Sequence, residues 1–258
     1  MADITDRDLD IFRILSSGPA TFVQIKSLLK RVYKSEVSQH ALYKRLSILR
    51  KDKLIMSQQY RNRDGKGRFV LYGITPLSVQ TLVTQGYAVE RIRTNMPSEL
   101  TVAHEMAVTD VVRTIKRESA KYQYDFSFLD ENTLKEMYRG KRRKIVYPDL
   151  LVNLVFHTKP EPTKKQLAVE IDNSTILASK LFEKMKEMKW TTLMLCTTTM
   201  RINALRKKFM IDEDLYGKVF FALLSEFCPK GFIGTNWLTV EGGNATILSP
   251  KLNLKAVG

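Results

Sequence analysis

Residues 38–75 read SQHALYKRLSILRKDKLIMSQQYRNRDGKGRFVLYGIT. Ser38 suits an N-cap, because its short hydroxyl can take up an orphan backbone N–H. Leu42, Leu46 and Leu49 then recur at helical spacing and mark one buried face. His40, Lys44, Ser47 and Lys51 fall on the opposite face, with Tyr43, Arg45 and Arg50 beside them. After Leu54 the period changes. Ile55–Arg61 and Arg68–Ile74 read as two strands, joined by a turn at Asp64-Gly65-Lys66-Gly67.

Two helices precede this stretch. Thr5–Ser16 has Leu9, Ile11, Phe12 and Leu15 as apolar positions and stops at Gly18-Pro19. Thr21–Val32 turns Phe22, Ile25, Leu28 and Leu29 inward. Helix, helix, helix, strand, strand is the order of a winged helix-turn-helix. In that arrangement the third helix enters a major groove and the hairpin lies along the backbone or minor groove. Residues 26–75 carry 13 basic and 3 acidic side chains, a balance of +10 against +15 for the whole chain. Such concentration beside a groove-sized helix is the footprint of phosphate binding. The residues expected to meet double-stranded DNA are His40, Tyr43, Lys44, Arg45, Ser47, Lys51, Arg61, Arg63, Lys66 and Arg68. A homodimer on two half-sites is compatible with this fold, although nothing in the sequence requires it.

The chain has 258 residues, 44% of them hydrophobic, enough for one large domain or two modest ones. The net charge favours a polyanionic partner. No apolar run approaches the ~20 residues that span a bilayer. The acidic, amphipathic start MADITDRDLDIF does not read as a signal peptide, so a cytoplasmic location and no membrane partner are expected. Cys196 and Cys228 have no metal-like spacing and read as buried thiols.

A helix at 76–86 follows the hairpin. The expected division is a winged-helix domain at 1–88, a linker at 89–100 around Asn95-Met96-Pro97-Ser98, and a second domain at 101–258. That second part reads as a long helix (Leu100–Ala120), a strand (Tyr122–Phe128) and a short helix (Asp130–Met137). Apolar strands at Ile145–Phe156 and Leu167–Ile171 come next, then an amphipathic helix (Thr175–Trp190) and a strand (Thr192–Cys196). A helix at Met200–Phe209 and strands at Val219–Leu224 and Trp237–Val240 close the chain. The expectation is α/β, a sheet covered by helices.

Pro148-Asp149 opens one of these strands and Glu170-Ile171-Asp172 ends the next. Alternation puts Glu170 and Asp172 on one face of their strand. Carboxylates from two neighbouring strands are oxygen ligands suited to a hard cation such as Mg²⁺, which activates water and stabilises a phosphodiester under attack. The basic run Arg139–Lys144, with Arg142 and Arg143, lies just upstream and is either a backbone grip or an exposed loop.

The P-D…E-x-D pattern in a helix-strand-strand-strand-helix-strand order resembles the PD-(D/E)xK nuclease superfamily. With HEMAVTDV at 104–111, EIDNST at 170–175, the late Trp237 and a winged helix in front, most of the chain (roughly 5–240) resembles the replication-relaxation family of plasmid and mobile-element proteins. That family is related to mobilisation relaxases of the MOBC class. The resemblance implies a DNA-binding protein of a plasmid, phage or integrative element, acting in replication or mobilisation with proteins of those processes. It implies either a Mg²⁺-dependent site-specific endonuclease (a nickase) or a non-catalytic regulator on a degenerate nuclease scaffold. Asp149 and Glu170 would be metal ligands, with Glu105 as an extra one. Asp172 stands where the pattern wants its lysine. Lys180 or Lys184, one turn apart on the next helix, would substitute for it.

Overall fold

The computed structural model describes residues 3–62, 66–87, 89, 94–139, 146–157, 161–174 and 176–248. The chain forms two compact units, Met1–Thr109 and Asp110–Gly258.

The first unit starts with α1 (Asp6–Ser16), capped at Thr5, where the Thr5 hydroxyl and the Asp8 carboxylate exchange bonds with each other's backbone. The two-residue strand β1 (Ala20–Thr21) leads into α2 (Phe22–Arg31), where Thr21 and Gln24 make the same reciprocal cap. Ser38 caps α3 (Gln39–Lys51) by accepting from the Ala41 N–H at 3.2 Å. The hairpin is β2 (Ile55–Arg61) and β3 (Arg68–Ile74), antiparallel from Ile55↔Ile74 to Arg61↔Arg68. The sheet order is β1-β3-β2. The first helix, β1, two further helices and the hairpin thus follow one another in winged-helix order. β1 was not anticipated, since two residues carry no periodicity. Thr75 caps α4 (Pro76–Thr84), with Pro at the first helical position.

Leu9, Phe12, Leu15, Ile25, Leu29, Leu42, Leu46 and Leu49 share one core with Leu54, Ile55 and Ile74. A second cluster joins Tyr60 and Leu71 of the hairpin to Val102, with Met96 packed against it. Tyr60 also donates its hydroxyl to the Pro97 carbonyl at 2.7 Å. Part of the 89–100 stretch is therefore bound to the hairpin, and the division between units falls inside α5 (Val102–Tyr122).

The second unit is a seven-stranded sheet. Its elements are β4 (Tyr124–Asp130), α6 (Glu131–Met137), β5 (Leu150–Phe156), β6 (Thr163–Asp172), α7 (Ala178–Glu187), β7 (Thr192–Cys196), α8 (Thr199–Phe209), β8 (Val219–Leu223), α9 (Leu224–Gly234), β9 (Trp237–Thr239) and β10 (Asn244–Ala245). The spatial order is β10-β9-β8-β7-β6-β5-β4. β6, β7 and β8 run parallel, and the other pairings are antiparallel. This is the expected mixed α/β architecture. Leu181, Phe182 and Met185 of α7 pack with Ile202, Leu205 and Phe209 of α8 and with Ala168, Met194 and Phe221 of the sheet.

α9 was not expected, because Pro229 and Gly231 punctuate its sequence. It is two short helical pieces across a kink at Gly231, whose φ of 74° suits glycine. Buried Glu118 accepts the freed Phe232 and Ile233 N–H groups at 2.9 and 2.8 Å. Both cysteines are free, Cys196 buried and Cys228 half-buried. Among the described residues no helix is long and apolar enough to cross a membrane.

Candidate nucleic-acid interface and carboxylate site

α3 buries Leu42, Leu46 and Leu49 and leaves His40, Tyr43, Lys44, Ser47 and Lys51 exposed. Arg61, Lys66 and Arg68 are exposed at the far end of the hairpin. Arg61 and Arg68 are direct cross-strand partners. Like charges set opposite one another weaken a sheet, so this pairing costs stability when nothing neutralises it. Among the described residues no carboxylate pairs with Lys44, Lys51, Arg61 or Arg68. A groove of about 720 Å³ beside α3 is lined by Lys26, Lys30 and Arg31 of α2 together with Glu36, which pairs with Lys30 at 2.8 Å, Val37 and Ser38.

Arg45, expected among the DNA-contacting residues, is the one on α3 with an ion-pair partner among the described residues. It lies on the flank of α3 that turns toward α1, where Nε donates to Asp8 Oδ1 at 2.8 Å and Nη2 pairs with Oδ2. The Asp8 side chain is fully buried. Burial works against the Asp8 charge, but the bonds from Arg45 and Thr5 outweigh it and hold the carboxyl below its ordinary range. Arg45 therefore serves the fold. Arg63, Arg142 and Arg143 lie outside the described residues.

In the second unit, β5 and β6 pair antiparallel with Leu150 opposite Val169. One residue further along both strands stand Asp149 and Glu170. Asp149 Oδ2 accepts the Ile171 backbone N–H at 2.7 Å, which ties it to β6. Glu170 is 3% exposed. Its Oε1 pairs with the Lys184 ammonium, which reaches in from α7. Its Oε2 is buried without a hydrogen-bond partner among the described residues.

Burial first, and then the charge of Asp149, push the Glu170 carboxyl upward, while Lys184 and the Asp149 backbone pull it back. The ammonium of Lys184 loses solvation too. The surrounding carboxylates of Glu170, Asp149 and Glu131 nevertheless hold it above its ordinary value.

Asp172 has a different partner. Its carboxylate is buried and bound by Arg201 of α8, Nε to Oδ2 at 2.5 Å and Nη2 to Oδ1 at 3.3 Å. It also accepts the Ser174 N–H at 3.0 Å. Arg201 donates to the Ile176 carbonyl as well. Asp172 thus anchors the loop between β6 and α7 instead of standing open beside Glu170. Lys180 is exposed, and Lys184 is the lysine that reaches the carboxylate. Glu105, expected as an extra ligand, lies on the part of α5 that belongs to the first unit and is buried there.

The sequence reading missed Arg201 and Glu131. A helix-start arginine runs against the helix dipole and gives no periodic signal. Glu131 follows the Asp130 cap in the first turn of α6, where acidic residues are common for the helix dipole alone. Among the described residues no group of three or more His, Cys, Asp or Glu side chains gathers as a metal cluster. The donor set is the two carboxylates of Asp149 and Glu170, one with a buried unpartnered oxygen. It fits a hard, oxygen-seeking cation better than a thiophilic one.

Among solved structures, the chain is similar to Bacillus subtilis PadR crystallised in complex with operator DNA. The identity is 15% over 47% of this chain and 74% of that chain, with a TM-score of 0.30. No family model matches the chain, and no curated protein matches it in sequence.

Proposed function

We propose that this is a double-stranded DNA-binding protein. α3 enters the major groove, the β2–β3 hairpin tracks the backbone, and the second unit acts on the bound DNA. The observation that carries the reading is the exposed basic surface of α3 and the hairpin, where among the described residues no carboxylate pairs with Lys44, Lys51 or the facing pair Arg61 and Arg68. A bound phosphate converts that repulsion into attraction. A homodimer on adjacent half-sites agrees with this mode of binding, and a cytoplasmic location agrees with a DNA substrate.

The second unit supports a PD-(D/E)xK-like reading through its strand order and through Asp149, Glu170 and Lys184. Mg²⁺ would be held by Asp149 and Glu170, and would supply water activation and neutralisation of phosphate charge. In this chain Asp149 is aimed by the Ile171 N–H. Lys184 keeps Glu170 oriented and brings a positive charge to the site in place of the missing strand lysine. The role is then site-specific nicking in the replication or mobilisation of a mobile element, alongside the proteins of those processes. The second reading is a non-catalytic regulator on the same scaffold. It is favoured by Arg201 occupying Asp172, which leaves two carboxylates rather than three.

The test is incubation with supercoiled plasmid carrying the gene's flanking DNA, with Mg²⁺ or Mn²⁺ and an EDTA control. Relaxed product that vanishes with EDTA and with Asp149→Ala establishes the nickase. A gel shift without cleavage establishes the regulator. No shift on any duplex refutes both.

A further inference from the structure

Tyr43 is 65% exposed on the second turn of α3, within the basic surface. Its ring gives that otherwise polar face an apolar surface that a groove-bound ligand can cover, with burial worth roughly 25 cal/mol per Å². Its ring centroid lies 6.3 Å from that of Phe22, tilted by 55°. Phe22 is half-buried against the core of the first unit. The ring is thus braced from behind and presented forward with only two rotatable bonds to immobilise.

Its neighbours on the helix surface are hydrophilic. Gln39 and His40 stand one turn before it, and Ser47 and Lys44 flank it. Val23, the residue after Phe22, is 73% exposed and adds apolar surface at the start of α2. In the major groove, thymine is the base that offers an apolar group, its C5-methyl.

We propose that Tyr43 is a specificity-determining residue that packs its ring against the 5-methyl group of a thymine, with Phe22 as the positioning residue behind it. The inference rests on the reading of the first unit as a DNA-binding module and adds which base feature it selects. Lys44, Lys51, Arg61 and Arg68 supply affinity without sequence information. His40 and Ser47 offer hydrogen bonds, and Tyr43 supplies the apolar contact that distinguishes T from C.

The experiment first locates the bound site by footprinting the full-length protein on its flanking DNA. Each thymine in the site is then replaced singly by deoxyuridine, which removes only the methyl group. Affinities are measured by fluorescence anisotropy at fixed salt. Wild type is expected to lose about fourfold in affinity at one or more thymines, the equivalent of one buried methylene-sized group. Tyr43→Ala should bind the T and U duplexes equally, and Tyr43→Phe should keep the discrimination because the ring is kept. Circular dichroism melts of Tyr43→Phe should match wild type, and Tyr43→Ala should stay folded with a slightly lower midpoint, since it loses the Phe22 contact.

Binding with no deoxyuridine effect in wild type overturns this inference alone. So does discrimination that persists in Tyr43→Ala or disappears in Tyr43→Phe. Failure of wild type to bind any duplex overturns the DNA-binding reading and this inference with it.

Discussion

Lys184, in the second turn of α7, closes an ion pair with Glu170, a carboxylate buried in β6. Lys180, one turn earlier on the same helix, stays in solvent. The two lysines differ by a single turn, yet only one lies where the helix packs down on the sheet through Leu181 and Met185. Lys184→Met should abolish any metal-dependent nicking while leaving gel-shift affinity within twofold, and Lys180→Met should change neither. The stability cost of Lys184→Met should stay below the ~3–5 kcal/mol of an orphaned buried charge, because Glu170 can take up a proton instead. Nicking that survives Lys184→Met would remove the lysine from the chemistry.

Arg45→Ala should behave as a folding mutation. It leaves the fully buried Asp8 without its main counter-charge, at a cost of about 3–5 kcal/mol. The pH dependence should change sign. In wild type the Asp8 carboxyl is held below 3.8, so its contribution is complete above that pH and is lost as pH falls through the folded value. Without Arg45, only the Thr5 bonds oppose burial, and the carboxyl is expected to rise above its unfolded value. Stability then falls as pH rises out of the acid range. Urea midpoints between pH 3 and 7 read both slopes, and parallel slopes would show that the Thr5 bonds alone hold the charge.

The facing pair Arg61 and Arg68 makes an asymmetric forecast. Replacing either one by alanine relieves repulsion across the strands, so the melting temperature should hold or rise. Affinity for duplex DNA should drop, and the slope of log K against log salt should become shallower by about one per lost phosphate contact. A variant that loses stability and keeps affinity would place the pair outside the interface.

Asp172→Ala should loosen the loop after β6 rather than empty a cation site. The Arg201 guanidinium, 15% exposed, would be left with the Ile176 carbonyl and no carboxylate. A cost of about 3–5 kcal/mol follows from breaking a buried pair on one side. Faster amide exchange should be confined to the β6–α7 loop and the start of α8. Isothermal titration with Mn²⁺ should give the same affinity in Asp172→Ala as in wild type and a loss in Asp149→Ala.

The local elements were largely legible in the sequence because they depend on near neighbours. The Leu42, Leu46, Leu49 stripe, the Ser38 cap and the alternation in 55–61 and 68–74 are set within a few residues, and the structure has helix and strands there. The order of elements in the second half was legible for the same reason, since apolar runs bounded by turns were enough to separate β5, β6 and β7. α9 was hidden because Pro229 and Gly231 disrupt its local signal, and it forms because Glu118, more than a hundred residues away, satisfies the N–H groups that the kink exposes.

Partnerships of charge were legible only where the resemblance pointed to them: it offered Lys180 and Lys184 for the carboxylate site, and the fold chose Lys184. Arg45 and Lys44 are adjacent and chemically alike, yet one is drawn to Asp8 on α1 and the other faces solvent. Glu170 and Asp172 share a strand face, yet one meets Lys184 and the other Arg201. Sequence by itself determined which stretches are amphipathic, in what order they come, and how much positive charge the chain carries. Only the tertiary structure decided which charges are consumed within the fold and which are left for a ligand, because a buried ion pair depends on two distant elements meeting within about 3 Å, and no local periodicity encodes that meeting.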